Sequence, residues 1–202
     1  MITLHHLNRS RARRILWLLE ELGLEYRVVP YTRDAKTNLA PDALRAVHPL
    51  GKSPMIEIDG RLITESGAIV EVLCARFAPE MIPAQDSDAY IQHLELMHFA
   101  EGSAMTPILL DLYVGKLGTA GTPLHPRIAA ELTAHFAYMN DLVCASGHFV
   151  MDHLSAADIM LSFPAEVAMA QGRAEEFPDL ARFVDTIHGR PAYARAVALG
   201  HG

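Results

Sequence analysis

Apolar positions in the first third of the chain recur with two different periods. Residues 2–6 form a short apolar and histidine-bearing run of strand length. Over residues 11–22, Ile15, Leu18, Leu19 and Leu22 fall on one helical face, the i, i+3, i+4, i+7 spacing of a buried stripe, and Gly23 stops the helix. Residues 26–29 read as a second strand ended by Pro30, and residues 41–47 as a short helix. Two β-branched runs, 55–58 and 61–64, flank Asp59-Gly60, a pair suited to the positive φ of a tight hairpin turn. Pro54 has no N–H to give to a ladder and so belongs at the very start of its strand. A helix over 65–77 completes the order βαβαββα, which describes a small mixed sheet with helices on both faces.

After Phe77 the pattern changes. Pro79, Pro83, Gln85, Asp86 and Ser87 read as a linker, and every later periodic segment is helical. A long helical segment runs from 88 to about 114, a Gly/Pro-rich turn follows over 115–126, then a helix over 128–145, and further helices begin at Ser155, Pro178 and Pro191. The expected division is an α/β domain over 1–80, a linker over 81–88 and an all-α domain over 89–202. Ser155 and Asp158 have the S-x-x-D spacing of a capping box, with Leu154 and Ile159 placed as a hydrophobic staple. Asp158 is therefore read as a structural group and not as an acid catalyst.

Composition narrows the function classes. The chain has 202 residues, half of them hydrophobic, enough to bury a sizeable core as one large or two small domains. A formal charge of -7 argues against nucleic acid or an anionic membrane as the main partner. Cys74 and Cys144 lie in separate apolar segments without CxxC spacing, which fits a reducing compartment. With no signal-peptide pattern and no apolar run of membrane-spanning length, a soluble cytoplasmic protein is expected. Eleven histidines raise the question of a metal, and Glu95 to His98 has E-x-x-H spacing, but no second such motif accompanies it and no metal site is expected.

The segment from His48 to Ile69 carries the chemistry. It joins a Pro/Gly-punctuated loop, Ser53-Pro54, the hairpin and the pair Glu65-Ser66 opening a helix, where free backbone N–H groups attract a carboxylate. A cis Ser53-Pro54 bond would turn the Ser53 N–H and carbonyl outward, toward the backbone of an extended peptide ligand. Arg9, Arg11, Arg13 and Arg14 crowd the start of the first helix, a position the helix dipole disfavours for cations, so they need an anionic partner or full solvation. Ser10, between two of them, can cap the helix or donate to a ligand thiolate.

The run P-x-G-K-x-P, the hairpin and E-S-x-A-I resemble the glutathione-binding region of the cytosolic glutathione transferases. The segments 5–10, 14–26 and 154–159 are similar to that family as well, so the resemblance spans essentially the whole chain. It implies a thioredoxin-like first domain that binds glutathione as co-substrate, with no tightly bound cofactor, and a helical second domain that supplies a pocket for a hydrophobic electrophile. Lys52, Ser53, Pro54, Glu65, Ser66 and Arg11 are the implied glutathione contacts. Ser10, in the position of the serine-type members, and Asn8, whose amide can also donate, are the candidates for holding the thiolate; a one-residue slip puts Arg9 or Arg11 in that place. His98, Phe99, Ser103, Met105 and Thr106 are the implied electrophile contacts, although Met and Phe there serve a core equally well. A homodimer is implied too. Conjugation is the favoured activity, with glutathione-dependent peroxide or disulfide reduction, or a non-catalytic binding or scaffold role, as alternatives. The departures from the family are His48, where many relatives have Asn, and a first loop without the usual Tyr or Cys.

Overall fold

A computed structural model describes residues 1–200. The elements run β1 (Ile2–Leu7), α1 (Ala12–Glu21), β2 (Tyr26–Tyr31), α2 (Asp42–Val47), β3 (Met55–Ile58), β4 (Arg61–Thr64), α3 (Ser66–Phe77), α4 (Asp88–Phe99), α5 (Met105–Gly115), α6 (His125–Leu142), α7 (Ala156–Ala170), α8 (Pro178–His188) and α9 (Pro191–Leu199). They fall into two units, one of Met1–Pro79 together with the segment beginning at His188, the other of Glu80–Ile187.

The first unit is built on a four-stranded sheet of order β2-β1-β3-β4, with β1 and β2 parallel and the other neighbours antiparallel. This is the mixed thioredoxin-like arrangement that the strand and helix periods predict. Because side chains alternate along a strand, Leu7 and Met55 point to one face, where they pack with Leu44 of α2. The opposite face carries the fully buried Leu4 and Ile56 and is covered by α1 and α3. Of the α1 stripe, Ile15, Leu18 and Leu19 are inaccessible to solvent, as is Trp17, while Leu22, just past the helix end, is half-buried. Gly23, at φ 59°, ends this helix in a Schellman arrangement: Leu24 N–H donates to the Leu19 carbonyl and Gly23 N–H to the Glu20 carbonyl. The hairpin turns on Asp59 and Gly60 at φ 52° and 75°, positive at both positions as a type I′ turn requires.

Several boundaries differ from the sequence pattern. The second strand runs through Pro30 to Tyr31, because β2 is an edge strand, where proline is tolerated. The segment expected as one helix from 88 is two, α4 and α5, joined by a π-helical turn over Ala100–Ala104. α6 begins at His125 instead of 128, since Pro126 sits in the first turn, where its missing N–H would find no partner anyway. The last helix, expected in the helical domain, belongs to the first unit: α9 packs on α1, with Tyr193 edge-on to Trp17 at 5.5 Å between centroids.

The second unit holds α4 to α8 and, among the described residues, no strand. The capping box at its centre is complete, with Ser155 and Asp158 each accepting from the other's backbone N–H. Asp158 is fully buried and also accepts from Phe149 N–H at 2.9 Å. Among the described residues, no helix is long and apolar enough to cross a membrane.

Candidate functional site

Two short connections, β1 to α1 and α2 to β3, meet the end of β4 and the start of α3 around a cavity of about 250 Å³. Its wall is made by Arg11, by His48, Leu50, Lys52, Ser53, Pro54 and Met55, and by Thr64, Glu65 and Ser66. Six of these, Arg11, Lys52, Ser53, Pro54, Glu65 and Ser66, are residues singled out from sequence. The structure adds His48, Leu50, Met55 and Thr64. The first was visible only as an odd residue in a familiar motif; the other three are apolar or hydroxyl neighbours that the same loop and hairpin bring along.

The loop before β3 is held by its own side chain. Ser53 Oγ accepts from Leu7 N–H at 3.1 Å and donates to the His5 carbonyl at 3.0 Å, stitching the loop to β1 where Pro54 has no N–H to offer. Ser53-Pro54 is cis. Among the described residues, no hydrogen bond engages the Ser53 backbone N–H or carbonyl. That leaves a donor and an acceptor beside the cavity, the pair an extended peptide backbone would satisfy.

The far wall is the beginning of α3. Glu65 takes φ 67°, ψ 123°, a conformation costly for a residue with a side chain, and so turns the chain sharply from β4 into the helix. The first helical hydrogen bond runs from Ile69 N–H to the Glu65 carbonyl, which leaves the N–H groups of Ser66, Gly67 and Ala68 as the uncommitted donors of the first turn. Glu65 is exposed and caps nothing with its side chain; Ser66 is buried, and its hydroxyl has no partner among the described residues. His48 Nδ1 accepts from Leu50 N–H at 3.4 Å, which favours the tautomer with its proton on Nε2. The cavity therefore combines a guanidinium, a lysine, one imidazole, one carboxylate and a helix start. It suits a small peptide that bears both an ammonium and carboxylates.

The two residues expected to hold a thiolate are not on this wall. Ser10 Oγ donates to the Leu7 carbonyl at 2.6 Å and accepts from Ala12 N–H at 3.2 Å, the capping alternative for that hydroxyl. Asn8 is tied to the β2–α2 connection: its Oδ1 accepts from Arg33 N–H at 2.9 Å and its carbonyl from Arg33 Nε at 3.3 Å. Arg9 makes a parallel tie, donating to Asn38 Oδ1 at 2.8 Å.

The five residues expected around an electrophile lie in the second unit. Met105 is buried in its core, Phe99 stacks on His135 and meets Tyr138 edge-on, and Thr106 donates to the Gly102 carbonyl. His98 and Thr106 are exposed and Ser103 is half-buried. Among the described residues, no cluster of three or more His, Cys, Asp or Glu is arranged to hold a metal ion.

Comparison with known proteins agrees with this geometry. The family model "Glutathione S-transferase, N-terminal domain" matches residues 1–73. Glutathione S-transferase 1 of Saccharomyces cerevisiae is 32% identical over 99% of this chain and 97% of its own length. Glutathione S-transferase 3 of Schizosaccharomyces pombe is 31% identical over 95% of this chain and 85% of its own length. Among solved structures, a glutathione S-transferase from Actinobacillus pleuropneumoniae superposes with a TM-score of 0.89 at 31% identity, covering 100% of this chain and 94% of that one. The chain belongs to the glutathione S-transferase family.

Proposed function

We propose that this protein binds glutathione in the cavity beside Ser53 and the start of α3 and transfers its thiolate to a small hydrophobic electrophile. The observation that carries this reading is the unpaired Ser53 backbone facing a cavity whose other wall is Glu65, Ser66 and the first turn of α3. The γ-glutamyl ammonium pairs with Glu65, and its carboxylate takes the Ser66 hydroxyl and the free N–H groups. The cysteinyl backbone pairs with Ser53, and the glycyl carboxylate goes to Lys52.

The chemistry asks for little beyond positioning and charge. A thiol of ordinary pKa near 8.5 that is to ionise around 6.5 needs about 2.7 kcal/mol of thiolate stabilisation. One hydrogen bond to a charged group supplies about 1.5–3 kcal/mol and a helix start about 0.3–1 kcal/mol. The thiolate then forms a carbon–sulfur bond while the leaving group departs with the bonding pair. Glutathione is a co-substrate in this scheme, with no tightly bound cofactor. His98, Phe99, Ser103 and Thr106 are the proposed contacts for the electrophile's apolar part; Met105 is left to the core. A homodimer in the cytoplasm completes the reading.

Calorimetric titration with glutathione, followed by a panel of aryl halides, hydroperoxides and mixed disulfides, tests it. Micromolar to millimolar binding with turnover of the halides is the expected result. Turnover confined to the peroxides or disulfides would move the activity to reduction, and binding without any turnover would leave a scaffold.

A further inference from the structure

The connection between β1 and α1 holds four polar side chains, Asn8, Arg9, Ser10 and Arg11, and their placement separates them; Arg9 donates to Asn38 Oδ1 at 2.8 Å and is not on the cavity wall. Ser10 has one hydroxyl proton and gives it to the Leu7 carbonyl at 2.6 Å, so the group keeps no hydrogen for a sulfur anion. The Asn8 carboxamide is fixed by Arg33, and neither residue reaches the cavity wall. Arg11 does. It stands immediately before Ala12, the first residue of α1, where the helix start adds its own positive potential. A guanidinium remains charged at any physiological pH and presents five donors in a planar fork.

We propose that Arg11, and not Ser10 or Asn8, is the catalytic residue that holds the sulfur of bound glutathione as its thiolate. The inference rests on the glutathione-binding reading above. In the ionisation step the S–H bond breaks, its electron pair stays on sulfur, and the proton leaves to solvent, because the guanidinium is already fully protonated and cannot take it. The thiolate is then paired with Arg11 until the carbon–sulfur bond forms. Ser10, held between the Leu7 carbonyl and the Ala12 N–H, is left a structural role in this connection. His48, Lys52 and Glu65 share the cavity wall, so the His48 imidazole is varied separately from Arg11.

R11M and R11Q remove the charge at similar length, and R11K keeps it without the fork. In each variant the ultraviolet absorbance of bound thiolate, the pH-rate profile, the glutathione dissociation constant and the thermal melt are measured. The expected result for R11M and R11Q is a bound-thiol pKa higher by about one to two and a rate at neutral pH lower roughly ten- to a hundredfold, with the deficit shrinking as pH rises. R11K should be displaced less, and the displacement caused by R11M should persist in an H48Q background. S10A should lower the melting temperature while leaving the profile where it is. Unshifted profiles in R11M and R11Q would overturn the proposal, as would an S10A profile displaced as far as theirs. A loss of glutathione affinity in R11M without any change in profile would make Arg11 a binding residue only and overturn it too. Wild-type protein that fails to bind glutathione would defeat the underlying reading; wild-type protein that binds and ionises it no better than R11M and R11Q defeats this inference alone.

Discussion

Arg190 grips Glu21 in a bidentate pair across 169 residues of sequence, Nε to Oε1 at 2.6 Å and Nη2 to Oε2 at 2.9 Å. The same carboxylate accepts from the Trp17 indole N–H at 2.8 Å. One turn away, Arg195 donates to Glu20 at 2.6 Å, and Tyr26 donates to the same carboxylate. Burial alone would push the Glu20 carboxyl up, but the Tyr26 hydroxyl and the Arg195 guanidinium bring it below the usual range. The C-terminal helix is thus fastened to α1 by two planar, directional pairs beside an aromatic contact.

Trp17 is the only tryptophan in the chain, so it reports this attachment directly. R190M should cost about 1–2 kcal/mol in denaturant unfolding, since the Glu21 side chain is largely buried and keeps the indole but loses its cation. Tryptophan emission should shift in the native baseline as well. An unchanged midpoint and unchanged emission would mean that the pair holds nothing.

Glu65 and Ser66 should set glutathione affinity. E65Q or S66A is expected to raise the dissociation constant at least tenfold, about 1.4 kcal/mol, because each removes a partner that no neighbouring side chain replaces. Calorimetry checks this; equal affinities in both variants would remove these residues from the site.

Asp158 offers a stability test independent of the cavity. Its carboxylate, fully buried, accepts from Phe149 N–H, Ser155 N–H and the Ser155 hydroxyl at 2.9, 2.7 and 2.9 Å. D158A strands all three donors and should cost about 3–5 kcal/mol, whereas S155A, which loses only the cap, should cost about 0.5–2 kcal/mol. Urea melts of the two variants give the comparison, and a smaller loss in D158A than in S155A would refute the assignment.

His153 links the loop before α7 to the start of the second unit, Nδ1 to Asp152 at 2.7 Å and Nε2 to the Glu80 carbonyl at 3.2 Å. Both partners only accept, so both ring nitrogens donate and the ring is an imidazolium. The Asp152 carboxylate and the Glu80 carbonyl accordingly raise its pKa above the ordinary 6.5, and the same contact lowers that of Asp152 below 3.8. A raised folded value means that the stabilisation is fully present below the unfolded pKa and lost as pH rises through the folded one. For Asp152 the sign reverses, and its share is lost as pH falls through its lowered value. As pH rises above 6.5 the wild type should lose melting temperature relative to H153Q. Parallel curves over that range would show that the link carries no proton-dependent stability.

Features written in short sequence windows were legible beforehand. The α1 stripe, the Asp59-Gly60 hairpin and the Ser155–Asp158 box depend on residues at most seven apart, and periodicity or turn chemistry states them outright. That Lys52, Ser53, Pro54, Glu65 and Ser66 surround one cavity was readable too, because a hairpin alone brings them together. Ser10 was ambiguous for a physical reason: a hydroxyl at a helix start satisfies the same pattern whether it turns to a ligand or to the backbone. The choice falls to the Leu7 carbonyl, whose direction is set by the pairing of β1 and not by any neighbour of Ser10 in sequence. The return of α9 to α1 was illegible altogether, since nothing near Glu21 indicates an arginine so far along the chain.

Because α9 completes the unit that β1 begins, the second unit is in effect an insertion within the first. On the ribosome, the surface of α1 that receives Tyr193 and Arg190 must wait until those residues have emerged. A nascent chain paused after α3 would present a sheet and three helices without the Tyr193 ring that meets the indole of Trp17. The order of synthesis therefore brings out every residue of the helical unit before the helix that completes the sheet-bearing unit, though the latter was begun first.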